Sequence, residues 1–174
     1  DPARRLLSFL VDELPTLLSQ RGKTDSLKYV SSWIPLVTRA RLHHDLPRPG
    51  SRESDFFDLV TEDADGKVLH LAHRASRGTP EVLKEFIDRV VAAKTARTKT
   101  GDVGGALLVA PSFDEAAADV YRGATKQEGE TRGWTFGAIE ALTDYEGFVR
   151  IGARRGFHLL LLAETADSFE LLLP

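Results

Sequence analysis

The feature that most constrains the fold is a short run of apolar residues at 104–111, with the sequence Gly-Gly-Ala-Leu-Leu-Val-Ala-Pro. The run is apolar at every position, is bounded by glycine and proline, and is too short for a typical helix. A strand of this kind is buried on both faces, as in sheets that carry helices on both sides. The run therefore predicts a central strand of an α/β sheet.

The residues before this strand predict a β-hairpin followed by a helix. Two strand patterns, at 55–60 and 67–73, flank an Asp65-Gly66 pair that is typical of a tight turn. Thr79 is expected to cap a helix over 80–100, which begins with proline, because the missing amide donor of proline costs nothing at a helix start.

After the central strand, the pattern predicts two more helices and three more strands. Ser112-Phe113-Asp114-Glu115 and Thr143-Asp144-Tyr145-Glu146 are capping boxes, in which a hydroxyl and a carboxylate each satisfy an amide at the helix start. Strand patterns lie at 134–142, 157–162 and 169–173. The last two predict a closing hairpin.

The N-terminal segment predicts two helices. Leucines spaced three and four residues apart over 3–20 form one apolar stripe, which Pro15 is expected to kink or to end early. A second helix, capped by Thr24 or Asp25, is expected to contain a proline that could bend it. Residues 44–54 predict an exposed loop.

This order of elements predicts an α/β fold with a central mixed β-sheet flanked by helices, N-terminal helices and a C-terminal β-hairpin. We expect a single domain over 1–174, made of an N-terminal helical part at 1–46 and an α/β core at 55–174.

Composition excludes several classes of protein. The 174 residues include no cysteine, which excludes disulfides and thiolate ligands and favours a reducing compartment, the cytoplasm. We expect no membrane span, and the five histidines are not spaced to chelate zinc. Because the chain lacks methionine, we expect its numbering to start inside a longer protein or after a removed tag. The net charge of −3 argues mildly against tight nucleic-acid binding.

The order of elements over 27–121 resembles that of the PD-(D/E)XK, or restriction-endonuclease-like, superfamily. In that family an Asp on one strand and a (D/E)-x-K triplet on the next bind Mg²⁺ and activate a water for phosphodiester cleavage. The resemblance places Asp58 at the first position and Ala72-His73-Arg74 at the triplet. It implies a restriction-endonuclease-like core.

The triplet departs from the family at both functional positions. Alanine cannot coordinate Mg²⁺, and arginine cannot act as a proton acceptor, although it can hold a phosphate. His70, Ala72 and Arg74 are expected to share one face of their strand, which would present His70 and Arg74 together. The leading hypothesis is a non-catalytic domain, without a cofactor, that serves as a protein-interaction or nucleic-acid-contacting module.

Two other functions stay open. Some members of the superfamily take a carboxylate from the following helix, where Glu81 and Glu85 are candidates. Glu81 or Glu85, together with the metal ligand Asp58 and with Arg74, would make an active Mg²⁺-dependent nuclease. Glutamates on a helix are equally typical of its solvated face. The third hypothesis is a structural or homo-oligomerising domain, with the leucine-rich C-terminal strands as its contact edge.

Two basic segments are candidates for binding nucleic acid or another anion. Arg74 and Arg77 precede a helix N-terminus, which favours negative charge, although the same residues suit a polar connector. Lys94, Arg97 and Lys99, with Arg89 a turn or more earlier, form the most basic stretch, which could follow a phosphate backbone or could compensate the dipole at the end of its helix.

Overall fold

The computed structural model describes residues 2–43, 56–62, 68–95, 104–122, 126–133, 135 and 157–172. Within these residues lie the helices α1 (Pro2–Asp12), α2 (Leu14–Gln20), α3 (Thr24–His43), α4 (Pro80–Thr95), α5 (Glu115–Tyr121) and α6 (Lys126–Thr131), and the strands β1 (Leu59–Glu62), β2 (Val68–His73), β3 (Gly104–Ala110), β4 (Phe157–Glu164) and β5 (Phe169–Leu172). The loop predicted at 44–54, the Asp65-Gly66 turn, the strand at 134–142 and the helix after 143–146 fall outside the described residues.

The five strands form one open, mixed sheet in the order β1-β2-β3-β4-β5. β2, β3 and β4 run parallel, and β1 and β5 pair antiparallel with β2 and β4. The predicted α/β fold with a central mixed sheet and a C-terminal hairpin is therefore confirmed. Among the described helices, none is both long and apolar enough to cross a membrane.

β3 is the central strand, as its apolar run predicts. All residues from Ala106 to Ala110 are 0% exposed. Leu107 and Val109 belong to a core formed with α1, α2 and α3, whereas Ala106 and Leu108 belong to a second core formed with α4 and α5. Helices thus cover both faces of the sheet, which explains why β3 is apolar at every position.

The helix predicted over 3–20 is interrupted at Glu13, which separates α1 from α2. Pro15 accounts for the break, because a proline lacks the N–H that would continue the hydrogen bonding of α1, and its ring clashes with the preceding turn. The proline instead occupies the first turn of α2, where no donor is needed. Gly22, with a φ of +67°, then turns the chain towards α3, which continues through Pro35.

Asp58 lies directly before β1, although the sequence pattern predicts it on the first strand of the hairpin. Its backbone N–H still donates to Leu71 O at 2.9 Å, so the pairing with β2 has already begun at this residue. However, its side-chain Oδ2 accepts the backbone N–H of His73 at 2.6 Å. A carboxylate therefore takes a position that a backbone carbonyl would hold in a regular ladder, and the strand starts at Leu59.

α5 begins at Glu115, although the capping-box pattern predicts a start at Ser112. Residues 112–114 are held extended, because Gly78 N–H donates to Ser112 O at 2.8 Å and Asp114 N–H donates to Gly78 O at 2.9 Å. The sequence does not predict α6, a six-residue helix that contains Gly129 and has no apolar stripe. A 2.6 Å ion pair between Arg132 and Asp119 ties the end of α6 to α5.

Tyr121, at the end of α5, is a buried phenol whose hydroxyl donates to Leu159 O at 2.9 Å. Burial raises the pKa of Tyr121 above its ordinary value of 10.0, because the ionised form would lose its hydration. The unfolded chain releases this proton near pH 10, whereas the folded chain keeps it. The stability that the buried, protonated Tyr121 contributes to the fold is therefore complete below pH 10 and is lost as the pH rises above it.

We expect Tyr121→Phe to lower the free energy of unfolding by about 1 kcal/mol at pH 8, the net value of one hydrogen bond. Between pH 9 and pH 11, urea unfolding should show a smaller loss of stability in the variant than in the wild type. Equal slopes of stability against pH in the two proteins would show that Tyr121 is not responsible for the alkaline loss.

Candidate functional site

The residues singled out by the sequence gather at the edge of the sheet where the parallel strands end, here called the carboxyl edge. His73 and Arg74 lie at the end of β2, Glu164 ends β4, and Asp58 precedes β1 at the same edge. Because side chains alternate along a strand, these residues divide between the two faces of the sheet. Asp58 and Arg74 lie on the α4 face, and His73 and Glu164 on the α1 face.

On the α4 face, the structure brings Asp58 and Arg74 together. Arg74 Nη1 lies 3.6 Å from Asp58 Oδ2 and also donates to His73 O at 3.1 Å, and Nη2 donates to Phe56 O at 3.0 Å. The guanidinium carbon lies 4.4 Å from the centroid of the Phe56 ring. Arg74 is therefore held by several contacts, and its side chain is 26% exposed.

Position 72, where the resemblance calls for a metal-binding carboxylate, is enclosed by the second core. Ala72 is 0% exposed and belongs to the same apolar cluster as Leu83 and Phe86 of α4. His70 shares this face, but it is 2% exposed and its ring centroid lies 4.7 Å from that of Phe57. The expectation that His70 and Arg74 are presented together is thus wrong, because the aromatic residue before β1 packs over His70.

The two carboxylates of α4 that could replace the missing ligand lie on its exposed face. Glu85 is 59% exposed and lies 4.0 Å from Arg89, and Glu81 is exposed in the first helical turn. Among the residues that the structure describes, no three His, Asp or Glu side chains gather closely enough to hold a metal ion.

On the α1 face, three residues meet that the sequence does not connect. His73 Nε2 lies 2.5 Å from Glu164 Oε2, and Arg5 of α1 lies 3.3 Å from Glu164 Oε1. Arg5 also donates to Ala166 O at 3.2 Å and lies 5.2 Å from the centroid of the Phe169 ring. Glu164 could have been noticed from the sequence, because a charged residue at the end of an apolar strand is unusual. Its contact with Arg5 could not, because the two residues are 159 positions apart in the chain.

The segment between β2 and α4 is joined to the segment between β3 and α5. Arg77 Nε lies 2.6 Å from Asp114 Oδ1, beside the backbone bridge that Gly78 makes with Phe113. Thr79 caps α4, as predicted, with its hydroxyl 3.2 Å from the N–H of Val82. These contacts fit the interpretation of this segment as a polar connector, and anion binding by Arg74 and Arg77 stays a prediction.

The second basic segment is only partly within the described residues. Lys94 lies in the last turn of α4, but its side chain is not described, and Arg97 and Lys99 fall outside the described residues. Their predicted contact with nucleic acid is therefore untested. Arg89, earlier in α4, is 57% exposed and lies 5.2 Å from the centroid of the Phe56 ring.

Charge and topology both limit what the carboxyl edge can bind. Its described arginines each face a carboxylate: Arg5 with Glu164, Arg74 with Asp58, and Arg77 with Asp114. Open α/β sheets bind small ligands where successive helices cross to opposite faces. Here α4 and α5 both pack into the same core. The described residues therefore form a charge-balanced surface at this edge. They do not form the ligand-binding crevice that lies between helices on opposite faces of such a sheet.

These features define an α/β domain with an open mixed sheet and helices on both faces. At the carboxyl edge of the sheet, the described arginines form ion pairs with carboxylates of the same chain. The family model described as a domain of unknown function, DUF7527, matches residues 2–174, and the chain belongs to this family. Neither the curated proteins nor the solved structures contain a significant match to the chain.

Proposed function

We propose that this domain is a non-catalytic binding module with a restriction-endonuclease-like core, and that it contacts a protein or nucleic-acid partner. The observation that carries the proposal is the burial of Ala72, which is 0% exposed. A nuclease of the PD-(D/E)XK type needs a carboxylate there, open to a hydrated metal ion. Core side chains of α4 fill that space instead.

The state of Asp58 supports the same proposal. Its Oδ2 accepts the N–H of His73 and lies 3.6 Å from the Arg74 guanidinium. A carboxylate that is hydrogen-bonded to the backbone and lies beside an arginine contributes to the local structure and is a poor single ligand for Mg²⁺. Arg74, in turn, cannot accept the proton of an attacking water.

The proposal predicts that neither the wild type nor Asp58→Asn binds Mg²⁺ or Mn²⁺ measurably by titration calorimetry. Neither protein should cleave single- or double-stranded DNA or RNA with either metal present. The introduced amide keeps an oxygen that can accept the His73 N–H, so the variant should remain folded and lose about 1 kcal/mol or less from the exposed ion pair.

Metal binding and cleavage that are both lost in Asp58→Asn would overturn the proposal and establish the relocated-carboxylate nuclease. In that event Glu81→Gln and Glu85→Gln would identify the second ligand. Sedimentation velocity on the wild type over a hundredfold range of concentration tests the remaining alternative. A mass that rises with concentration would favour an oligomerising domain over a module for other partners.

A further inference from the structure

Two arginines from different elements converge on one phenylalanine beside the carboxyl edge. The guanidinium carbons of Arg74 and Arg89 lie 4.4 Å and 5.2 Å from the centroid of the Phe56 ring. The ring is itself fixed, because it packs against Phe57 at a centroid distance of 5.1 Å and against Phe86 at 6.5 Å. The result is a partly exposed patch of one aromatic ring and two cations, Phe56 with Arg74 and Arg89, here called the Phe56 patch.

The ion pairs within the Phe56 patch are long and exposed. Arg74 and Asp58 are 3.6 Å apart, and Arg89 and Glu85 are 4.0 Å apart. The two carboxylates are 53% and 59% exposed, so each pair contributes little to stability. In the described part of the chain, Arg89 has this pair and the ring contact as its interactions, which leaves most of its five N–H donors to solvent.

An arginine held on an aromatic ring is preorganised for binding a planar anion. The cation–π contact restricts the positions of the guanidinium, so less conformational freedom is lost when its two parallel N–H groups bind a carboxylate. Aromatic residues and arginines are also the side chains enriched at the energetic centres of protein interfaces. Arg89, which is 57% exposed, is the cation that an incoming group would reach first.

The charge of the patch favours a peptide over a nucleic acid. Among the described residues of the patch, two arginines face two carboxylates, so the patch is close to neutral and does not supply the dense positive field that a phosphate backbone requires. A peptide with one carboxylate beside an apolar residue needs a single accessible cation, because its carboxylate can replace Glu85 on Arg89, 4.0 Å away, while its apolar side chain covers Phe56.

We propose that the Phe56 patch is a docking site for an acidic, partly apolar peptide segment of a protein partner. The inference rests on the proposed function and names the class of partner for that module. It assigns to Arg89, which precedes the basic residues 94–99 in the chain, the principal contact with a partner carboxylate.

The test is fluorescence anisotropy with a labelled twelve-residue glycine-serine peptide that carries one Glu-Leu pair, its Gln-Leu counterpart, and a labelled single-stranded DNA of twelve nucleotides. We expect the glutamate peptide to bind and the glutamine peptide to bind at least about tenfold more weakly, the effect of losing one charged hydrogen-bond pair. Arg89→Ala should weaken the glutamate peptide by a similar factor. Arg89→Lys should recover only part of it, because lysine lacks the bidentate fork.

Arg21→Ala is the matched control, since Arg21 is also exposed but directly follows α2, which packs on the opposite face of the sheet. Affinity for the glutamate peptide should be the same in Arg21→Ala as in the wild type. No binding of the glutamate peptide by the wild type, or binding that Arg89→Ala leaves unchanged, overturns the inference. Steeply salt-dependent DNA binding that is lost in Arg89→Ala also overturns it but leaves the proposed module standing, whereas metal-dependent DNA cleavage overturns the proposed function.

Discussion

Replacing Ala72 by glutamate is expected to lower the free energy of unfolding by at least about 3 kcal/mol, because it places an unpaired carboxylate in an apolar core. Ala72 is 0% exposed, and its neighbours in the second core are apolar side chains of α4 and β3. The variant would either unfold at room temperature or hold the new carboxyl protonated. Urea unfolding followed by circular dichroism measures the loss.

Ala92→Glu provides the matched control, because Ala92 is an exposed residue of α4 and receives the same new side chain. Its stability should stay within about 0.5 kcal/mol of the wild type. The double variant Ala72→Glu with Arg74→Lys has the (D/E)-x-K sequence of the nuclease triplet. We expect that it does not bind Mg²⁺. A folded double variant that binds Mg²⁺ through Asp58 would show that position 72 opens to solvent, and would remove the main support for a non-catalytic module.

The fold was predictable where a local pattern determines the structure. The continuous apolar run of β3 indicates burial on both faces, and the mixed sheet follows from the strands and helices on either side of it. The cap at Thr79 was predictable for the same reason, since the hydroxyl and the N–H of Val82 are three residues apart.

Boundaries were harder to predict where a long-range contact competes with a local one. Ser112 and Glu115 have the spacing of a capping box, yet the backbone of 112–114 pairs with Gly78, more than thirty residues earlier. The start of β1 is displaced in the same way, because the Asp58 carboxylate binds the N–H of His73 on the neighbouring strand. Neither partner can be identified from spacing along the chain.

In the candidate site, too, some features follow from local sequence patterns and others depend on long-range packing. The neighbourhood of Asp58 and Arg74 follows from hairpin register, which a sequence pattern can supply. Burial of Ala72 and His70 depends on how α4 and Phe57 pack on the sheet, and that is a property of the assembled core. Arg89 was noticed only as part of a basic stretch, because its cation–π contact joins α4 to Phe56, which precedes β1 in the chain.

Gly105→Ala is expected to lower the free energy of unfolding by about 2 kcal/mol, the usual cost of forcing one extra carbon into a packed core. A Cβ at this position would lie 2.4 Å from Trp33 Cε2, 2.6 Å from Trp33 Cζ2 and 2.8 Å from Leu69 Cδ1. The indole of α3 lies directly against the backbone of β3, and Trp33 is itself 2% exposed, so it cannot rotate away into solvent. The whole of α3 would have to move outward.

A double-mutant cycle with Trp33→Phe separates the clash with Trp33 from any destabilisation that replacing a glycine causes in itself. The smaller ring leaves room for the new methyl group, so the double variant should be more stable than the sum of the single effects predicts, by about 1 kcal/mol. Gly22→Ala is the comparison, because Gly22 has open space around it but a φ of +67°, which costs an alanine about 1 kcal/mol through backbone strain alone. Trp33→Phe should not reduce that cost. Additive effects for both pairs would show that the approach of α3 to β3 does not depend on the missing side chain of Gly105.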